Sequence, residues 1–382
     1  GNGAAGEKGA EWRCTGQAVY SNPTPSGDQK RGAGGAGQAL VGSTQGRPVR
    51  LHLPRACWGQ AGLVLVLVGL VLLFGAGQPR FLSPTTLALI FKYYSPVAIL
   101  ALGMTFVILT GGIDLSVGFV MMLLMFVMAG LPDRGLVPPG LAVLIGLGLG
   151  LALGGLVGIG VSVAGIPPFI LTLALMVGSY GATLLLSGNQ AIPRLPPELT
   201  SLGAAEFRLG AADFPTTLPL VVALYLASAL VLRRTPFGRA LYALGSNREA
   251  ARLNGIPVAR IETSAYMILG ACCWLAGWIQ LGVNRTADPK VALSDNLELN
   301  AIAMVVIGGT SLTGGRGGVG GTALGACLLA VLFNGLPMLG GQFGDTSWRK
   351  LVQAGVILAG AFLDALQRRW GGEAVSGARG AC

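Results

Sequence analysis

GLVPPGLAVLIGLGLGLALGGLVGIGVSVAGIPPFILTLALMVGSYGATLLLSGNQAIP, Gly135 to Pro193, contains no charged side chain. A helix needs about 20 apolar residues to cross a bilayer, so this run is long enough for two spans. It should break at Ala164 to Pro168, where AGIPP places a glycine ahead of paired prolines. Similar runs lie on either side. Ala56 to Pro79, Tyr93 to Ile113 and Leu115 to Pro132 precede it; Phe214 to Leu232, Thr263 to Asn284, Leu299 to Gly315, Gly317 to Gly344 and Leu351 to Leu366 follow. The eighth of these ten segments is short and interrupted by Gly308 and Gly309. The fold class is therefore all-α: a polytopic integral membrane protein of about ten transmembrane helices.

Composition agrees. Of 382 residues, 52% are hydrophobic and 11% charged, where soluble domains carry about 25% charge; an ordinary soluble enzyme is excluded, and so is disorder over most of the length. Residues 1-55 are rich in Gly, Ala, Ser, Pro and Gln and show no periodicity, which reads as a disordered cytoplasmic tail. The chain does not open on Met and reads as a processed product or a fragment; the tail lacks the order of a secretory signal. Residues 56-370 form the transmembrane domain, with a cytoplasmic loop at 233-262, and residues 371-382 a second cytoplasmic tail. Six cysteines show no paired ligand spacing and His52 is the sole histidine, so neither a metal site nor a disulfide framework is expected. Cys272, Cys273 and Cys327 read as small buried apolar residues.

Orientation follows from lysine and arginine in short loops. The tail carries Lys8, Arg13, Lys30, Arg31, Arg47, Arg50 and Arg55, and Arg233 to Glu262 adds Arg233, Arg234, Arg239, Arg248, Arg252 and Arg260. Six spans separate the two basic regions, and four more precede Arg368 and Arg369. Ten crossings with both termini cytoplasmic place all three clusters on one side.

Two loops hold the candidate chemistry. Asp114, in LTGGIDLSVG from Leu109 to Gly118, is flanked on each side by a long uncharged stretch. Such an acid is a functional candidate; the plainer alternative is a cap for a helix beginning at Leu115. GGIDLSVG at Gly111 to Gly118 and GGTSLTGG at Gly308 to Gly315 share a pattern, weakly indicating an internal repeat. The run Gly308 to Gly318 lacks the lysine of a phosphate-binding loop, so ATP hydrolysis is not expected of this chain. In the cytoplasmic loop, Ser246, Asn247, Arg248 and Glu249 spell a capping box, the helix continues to Leu253, Gly255 closes it and Pro257 forbids more. The short charged helix displays Arg248, Glu249 and Arg252, either to lipid phosphates or to a partner.

LGMTFVILTGGIDLSVG (Leu102 to Gly118), GIPPFILTLALM (Gly165 to Met176), GSNREAARLNGIPV (Gly245 to Val258) and AIAMVVIGGTSLTGGRGGVGGTALGA (Ala301 to Ala326) resemble, in order, the permease subunits of ribose-type ABC importers for simple sugars. The resemblance runs from about residue 60 to 366 and implies a permease homodimer, a cytoplasmic ATPase subunit and a periplasmic sugar-binding protein in a bacterial inner membrane. It implies that ATP and magnesium belong to the partner ATPase, with no cofactor or metal here, and that Ser246, Asn247, Arg248, Glu249, Arg252 and Gly255 couple to that ATPase. The mechanism implied is alternating access. Polar residues within or at the ends of spans are the candidates for the sugar pathway: Asp114, Ser116, Thr172, Asn189 and Asn334 first, then Ser179, Gln190, Asn300 and Thr310. Gln190 to Pro215 would face the binding protein. The tail is longer and richer in glycine than the family pattern requires.

Two rival readings stand beside this one. An ion-coupled secondary transporter would use Asp114 as its ion site. A membrane-embedded enzyme would need clustered His, Cys, Asp or Glu, and the spans hold none.

Overall fold

Proline and glycine punctuate the helices. The computed structural model describes residues 55-209, 212-290, 292-293, 296-340, 347-348, 350-356, 358-360 and 362; the tails expected at 1-55 and 371-382 lie outside them, apart from Arg55. In chain order come α1 (Arg55–Gly77), α2 (Pro84–Leu109), α3 (Val117–Asp133), α4 (Pro139–Ser162), α5 (Pro168–Ser187), α6 (Pro197–Ala204), strands β1 (Glu206–Leu209) and β2 (Ala212–Pro215), α7 (Thr217–Arg234), α8 (Pro236–Ser246), α9 (Arg248–Leu253), α10 (Val258–Asn284), α11 (Leu297–Ile307) and α12 (Val319–Met338). A proline opens α2, α4, α5, α6 and α8, where its missing N–H costs nothing. The break expected at AGIPP is there, with Gly165 at φ 68° between α4 and α5.

Among the described residues, seven helices are long and apolar enough to cross a membrane: Gln60–Gly77 within α1, then α2, α4, α5, α7, α10 and α12. Three shorter apolar helices, α3, α11 and Lys350–Gly360, fall on the third, eighth and tenth expected segments. The eighth needs correcting: α11 stops at Ile307, and at 1.5 Å per residue its 11 residues rise about 16 Å, half a hydrocarbon core.

Three other boundaries differ for local reasons. Helix α2 starts nine residues before Tyr93, because Ser83 caps it by accepting the Thr86 amide. Its Lys92 pairs with Glu206 at 2.6 Å. Helix α10 begins at Val258, so Arg260 and Glu262 are helical and the basic loop is shorter than expected. The sixth span begins at Thr217, because Phe214 belongs to β2, which pairs antiparallel with β1 in the register Glu206 with Pro215 and Phe207 with Phe214. This hairpin and α6 give the segment Gln190 to Pro215 a structure that its sequence did not announce.

At the centre, α10 packs on α2, α3 and α4 around buried Met104, Met121, Met125, Tyr266 and Leu269. At its glycines the α4–α10 contact brings backbone against backbone. Side chains at Gly150 and Gly158 would lie 2.7 Å from the Gly270 carbonyl and 2.6 Å from the Thr263 Cα, and one at Gly154 would overlap the Tyr266 carbonyl. Small residues four apart permit this approach between helices where no water drives association. Leu65, Leu72, Val177, Leu185, Leu226 and Leu230 stay exposed on α1, α5 and α7, as the outside of a membrane bundle requires.

The connections sort to two ends. At one, the Gly315 amide donates to the Leu109 carbonyl at 3.0 Å, Tyr242 Oη donates to the Gly317 carbonyl at 2.9 Å, and Ser162 Oγ lies 3.1 Å from Thr263 Oγ1. These tie the turn after α11 to the end of α2 and to α8, and the end of α4 to the start of α10. At the other, Arg134 donates to the Leu186 carbonyl, Lys92 meets Glu206, and Ile192 bridges Ala287. Alternation of the long helices between two faces is thus built into the contacts.

Candidate functional site

Two related turns stand at the first end. Helix α2 finishes with Gly111 at φ 87°; the Gly111 amide donates to Ile108 and the Gly112 amide to Val107. Helix α11 finishes with Gly309 at φ 84°; the Gly309 amide donates to Val306 and the Thr310 amide to Val305. Both are left-handed terminations in which two amides satisfy the last carbonyls. The repeat is real at the level of the backbone, but it matches Gly111 to Gly309, one residue away from the alignment of GG with GG. The two turns also touch: a Cβ on Gly314 would lie 2.8 Å from the Gly111 nitrogen.

Asp114 is buried in the first turn. Its Oδ1 accepts from the Ser116 amide at 2.7 Å and the Ser116 hydroxyl at 2.6 Å, and the Ser116 carbonyl accepts the Val120 amide. Asp114 thus bonds the cap residue and not the free amides of the helix, a correction to the cap reading. The helix starts at Val117 rather than Leu115, because Ser116 occupies the cap position and Asp114 braces it from two residues upstream. Asp114, Ser116, Val117, Gly154, Tyr266 and Gly270 surround a cavity of about 10 Å³, the scale of one water rather than of a sugar. Tyr266 lies over Gly112, whose Cβ would be 2.5 Å from the phenol oxygen.

The α8–α9 segment meets this turn from outside. A side chain on Gly245 would overlap the Leu109 carbonyl, and one on Gly315 would lie 2.5 Å from Ser246 Oγ. Ser246 is the last residue of α8 and donates to the Tyr242 carbonyl. It is not the cap of the next helix. Asn247 is, with Oδ1 accepting the Ala250 amide at 2.9 Å; the expected capping box is therefore not formed, since Ala250 at the third helical position has no side chain to return a bond, and Glu249 pairs with Arg252 at 2.8 Å instead. Gly255, at φ 77°, closes α9, donating to Arg252 while Ile256 donates to Ala251.

Arg248 reaches Glu262 on α10 with both guanidinium nitrogens, each 2.8 Å from a carboxylate oxygen, so it clamps α9 to the bundle instead of facing lipid phosphates. The hydrogen bond to Glu262 holds Arg248 above its usual range, and the bond from Arg252 holds the exposed Glu249 carboxyl below its own. Arg248, Glu249, Arg252, Ser162 and residues 257-260 line an open groove of about 640 Å³.

The remaining polar candidates do not gather around Asp114. Thr172 is buried on α5 and leans on its own helix through a 3.4 Å bond to the Phe169 carbonyl; Asn334 on α12 donates to Ala330 at 3.0 Å. Exposed Asn189, at φ 61°, forms the turn after α5 together with Gly188, a conformation asparagine tolerates. Asn300 accepts from Gln353 at 2.9 Å, and Thr310 Oγ1 accepts the Gly318 amide at 3.3 Å. Of the thiols, Cys273 is buried and Cys272 half-buried, but Cys327 is exposed on α12, contrary to expectation, because its helix face meets the outside of the bundle.

Glu262 and Tyr266 were missed. Their spacing of four residues puts both on one face of α10, a signal hidden because Glu262 was counted as loop.

Residues 86–361 match the family described as branched-chain amino acid transport system / permease component. The ribose import permease protein of Bacillus subtilis (strain 168) is 37% identical over 79% of this chain and 91% of its own. The fructose import permease protein of Rhizobium meliloti is 35% identical over 82% and 86%, and the D-allose transport system permease protein of Escherichia coli (strain K12) 33% over 81% and 92%. No solved structure matches the chain.

Proposed function

The chain belongs to the family of branched-chain amino acid transport system permease components, and from that premise we propose that it carries a simple sugar inward across a bacterial inner membrane as one half of a permease homodimer. The cargo class rests on relatives named for ribose, fructose and allose import. A cytoplasmic ATPase subunit binds ATP and magnesium and docks on α9, and a periplasmic binding protein delivers the sugar to the opposite face. Ten segments pass through the membrane with both termini cytoplasmic, the eighth as the half-length helix α11, whose flanking turns complete the crossing. This chain supplies the pathway and no covalent chemistry.

The observation that carries the reading is the α8–α9 segment. A helix capped at both ends, fixed to α10 by Arg248 and Glu262, holds Glu249 and Arg252 outward beside an open groove. Mere packing along a membrane surface requires no such clamp. The same segment abuts the Asp114 turn, so a push on α9 reaches the end of α2 without a flexible link. Asp114 and Ser116 then act at the cytoplasmic mouth of the pathway, where their hydrogen-bonding groups meet sugar hydroxyls once the bundle opens; Thr172, Asn189 and Asn334 line it further along. The ion-coupled alternative is not favoured, since Asp114 already has its hydrogen bonds within the turn.

The test is coexpression of the tagged permease with the ATPase encoded beside it, followed by pull-down in detergent. The ATPase should come down with the intact chain and be lost when Ser246 to Gly255 is deleted. Recovery independent of that segment would refute the docking role, and labelled ribose uptake, competed by fructose and allose, then tests the cargo.

A further inference from the structure

The hydroxyl of Tyr266 has no hydrogen-bond partner among the described residues although the side chain is buried. Leaving a buried hydroxyl unpaired is costly, and phenylalanine would fill the same space without that cost. The position is tightly determined: the oxygen lies over Gly112 so closely that only a glycine fits beneath it, and it shares a cavity with the Asp114 carboxylate. In this conformation Asp114 Oδ1 accepts from the Ser116 amide and hydroxyl. Four residues before Tyr266, on the same face of α10, Glu262 holds Arg248 of the docking helix with both oxygens. Across α4, the backbone of α10 at Tyr266 lies directly against Gly154, so a shift of α10 moves Tyr266 relative to the α4 wall of that cavity.

We propose that Tyr266 is the positioning residue through which the docking helix acts on the Asp114 turn, its hydroxyl becoming the hydrogen-bond partner of Asp114 when the pathway changes the side to which it opens. The proposal rests on the reading of α9 as the ATPase docking element. Displacement of α9 draws Glu262, and with it α10, relative to the turn. Asp114 then exchanges Ser116 for Tyr266, which frees the first turn of α3. The orphaned hydroxyl is thus one half of a contact made only in the other state.

The experiment uses the full permease with its ATPase in lipid nanodiscs. Amide hydrogen exchange of residues 110-118 is followed with and without ATP and vanadate, beside pull-down recovery and the melting temperature. Wild type should change its exchange there by about five- to tenfold on trapping, the size one hydrogen bond confers. Y266F should recover the same ATPase and melt at the same or a higher temperature, yet lose that response. In a G112A chain the added methyl displaces the hydroxyl and removes the response too, and G112A/Y266F should be no worse than Y266F alone. A wild-type response in Y266F, or none in wild type, overturns the proposal. Failure of wild type to recover the ATPase would instead strike the docking reading itself.

Discussion

Glu262 keeps 4% of its side-chain surface exposed and its partner Arg248 49%, and that asymmetry sets what each is worth. Removing Arg248 strands a carboxylate in the protein, whereas neutralising Glu262 leaves an arginine that turns into solvent. We expect R248A to destabilise the permease by about 2–3 kcal/mol, below the full penalty for a buried pair because Arg248 is half solvated. E262Q should cost about 1 kcal/mol, that of weakening a charged hydrogen bond to a neutral one. The double variant R248A/E262Q should lie closer to E262Q than to R248A. Thermal melting of the four proteins in one detergent checks the order; equal losses for the two single variants would mean that Glu262 is better solvated than its burial indicates.

Helix ends, rather than helix interiors, carry the functional geometry, and three of them use one device. Gly111, Gly255 and Gly309 each take a left-handed φ and return two amides to the helix they close. A Cβ on Gly309 meets nothing within 4 Å, while one on Gly111 would lie 3.3 Å from the Thr313 carbonyl. G309A should therefore cost only the conformational term, about 1 kcal/mol, and G111A more, which melting curves read directly. At α9, the charge reversal Glu249→Arg with Arg252→Glu retains an ion pair at the same spacing but presents it backwards to the partner. We expect transport to be abolished with insertion and melting unchanged, and normal uptake would count against docking.

These ends were only partly legible in the sequence. The glycines and prolines marked where AGIPP breaks the chain and where α9 stops, because their backbone constraints act locally. The cap of α9 was misplaced by one residue, since Ser246 and Asn247 are both competent caps and only the packing of Gly245 on Leu109 keeps Ser246 in α8. The repeat was misregistered for the same kind of reason: adjacent glycines look alike in letters, and only φ distinguishes the one that turns. Tyr266 and the hairpin were illegible because their places depend on contacts far along the chain.

At the scale of the molecule, the faces are separated by contacts, whereas orientation is a matter of charge. Among the described residues, the face bearing α9 carries Arg233, Arg234, Arg239, Arg248, Arg252, Arg260 and Arg316; the other carries Arg80, Lys92, Arg134, Arg194, Arg208, Arg285, Lys290 and Lys350. These loops give no excess to the face bearing α9, so the positive-inside bias expected from the sequence rests chiefly on the seven basic residues of 1-55, with Arg368, Arg369 and Arg379 at the other terminus. Leu253 on α9 and Leu136 at the opposite end are both exposed, and single cysteines there, in a chain with its native cysteines replaced, should label exclusively from opposite sides. A membrane-impermeant maleimide applied to intact cells should reach Leu136→Cys and not Leu253→Cys, and inverted vesicles should reverse the pattern. Neutralising the basic residues of 1-55 should then yield a mixed population in which each site labels from both sides. Uniform labelling in that variant would show instead that later segments fix the orientation although their loops give no excess to the face bearing α9.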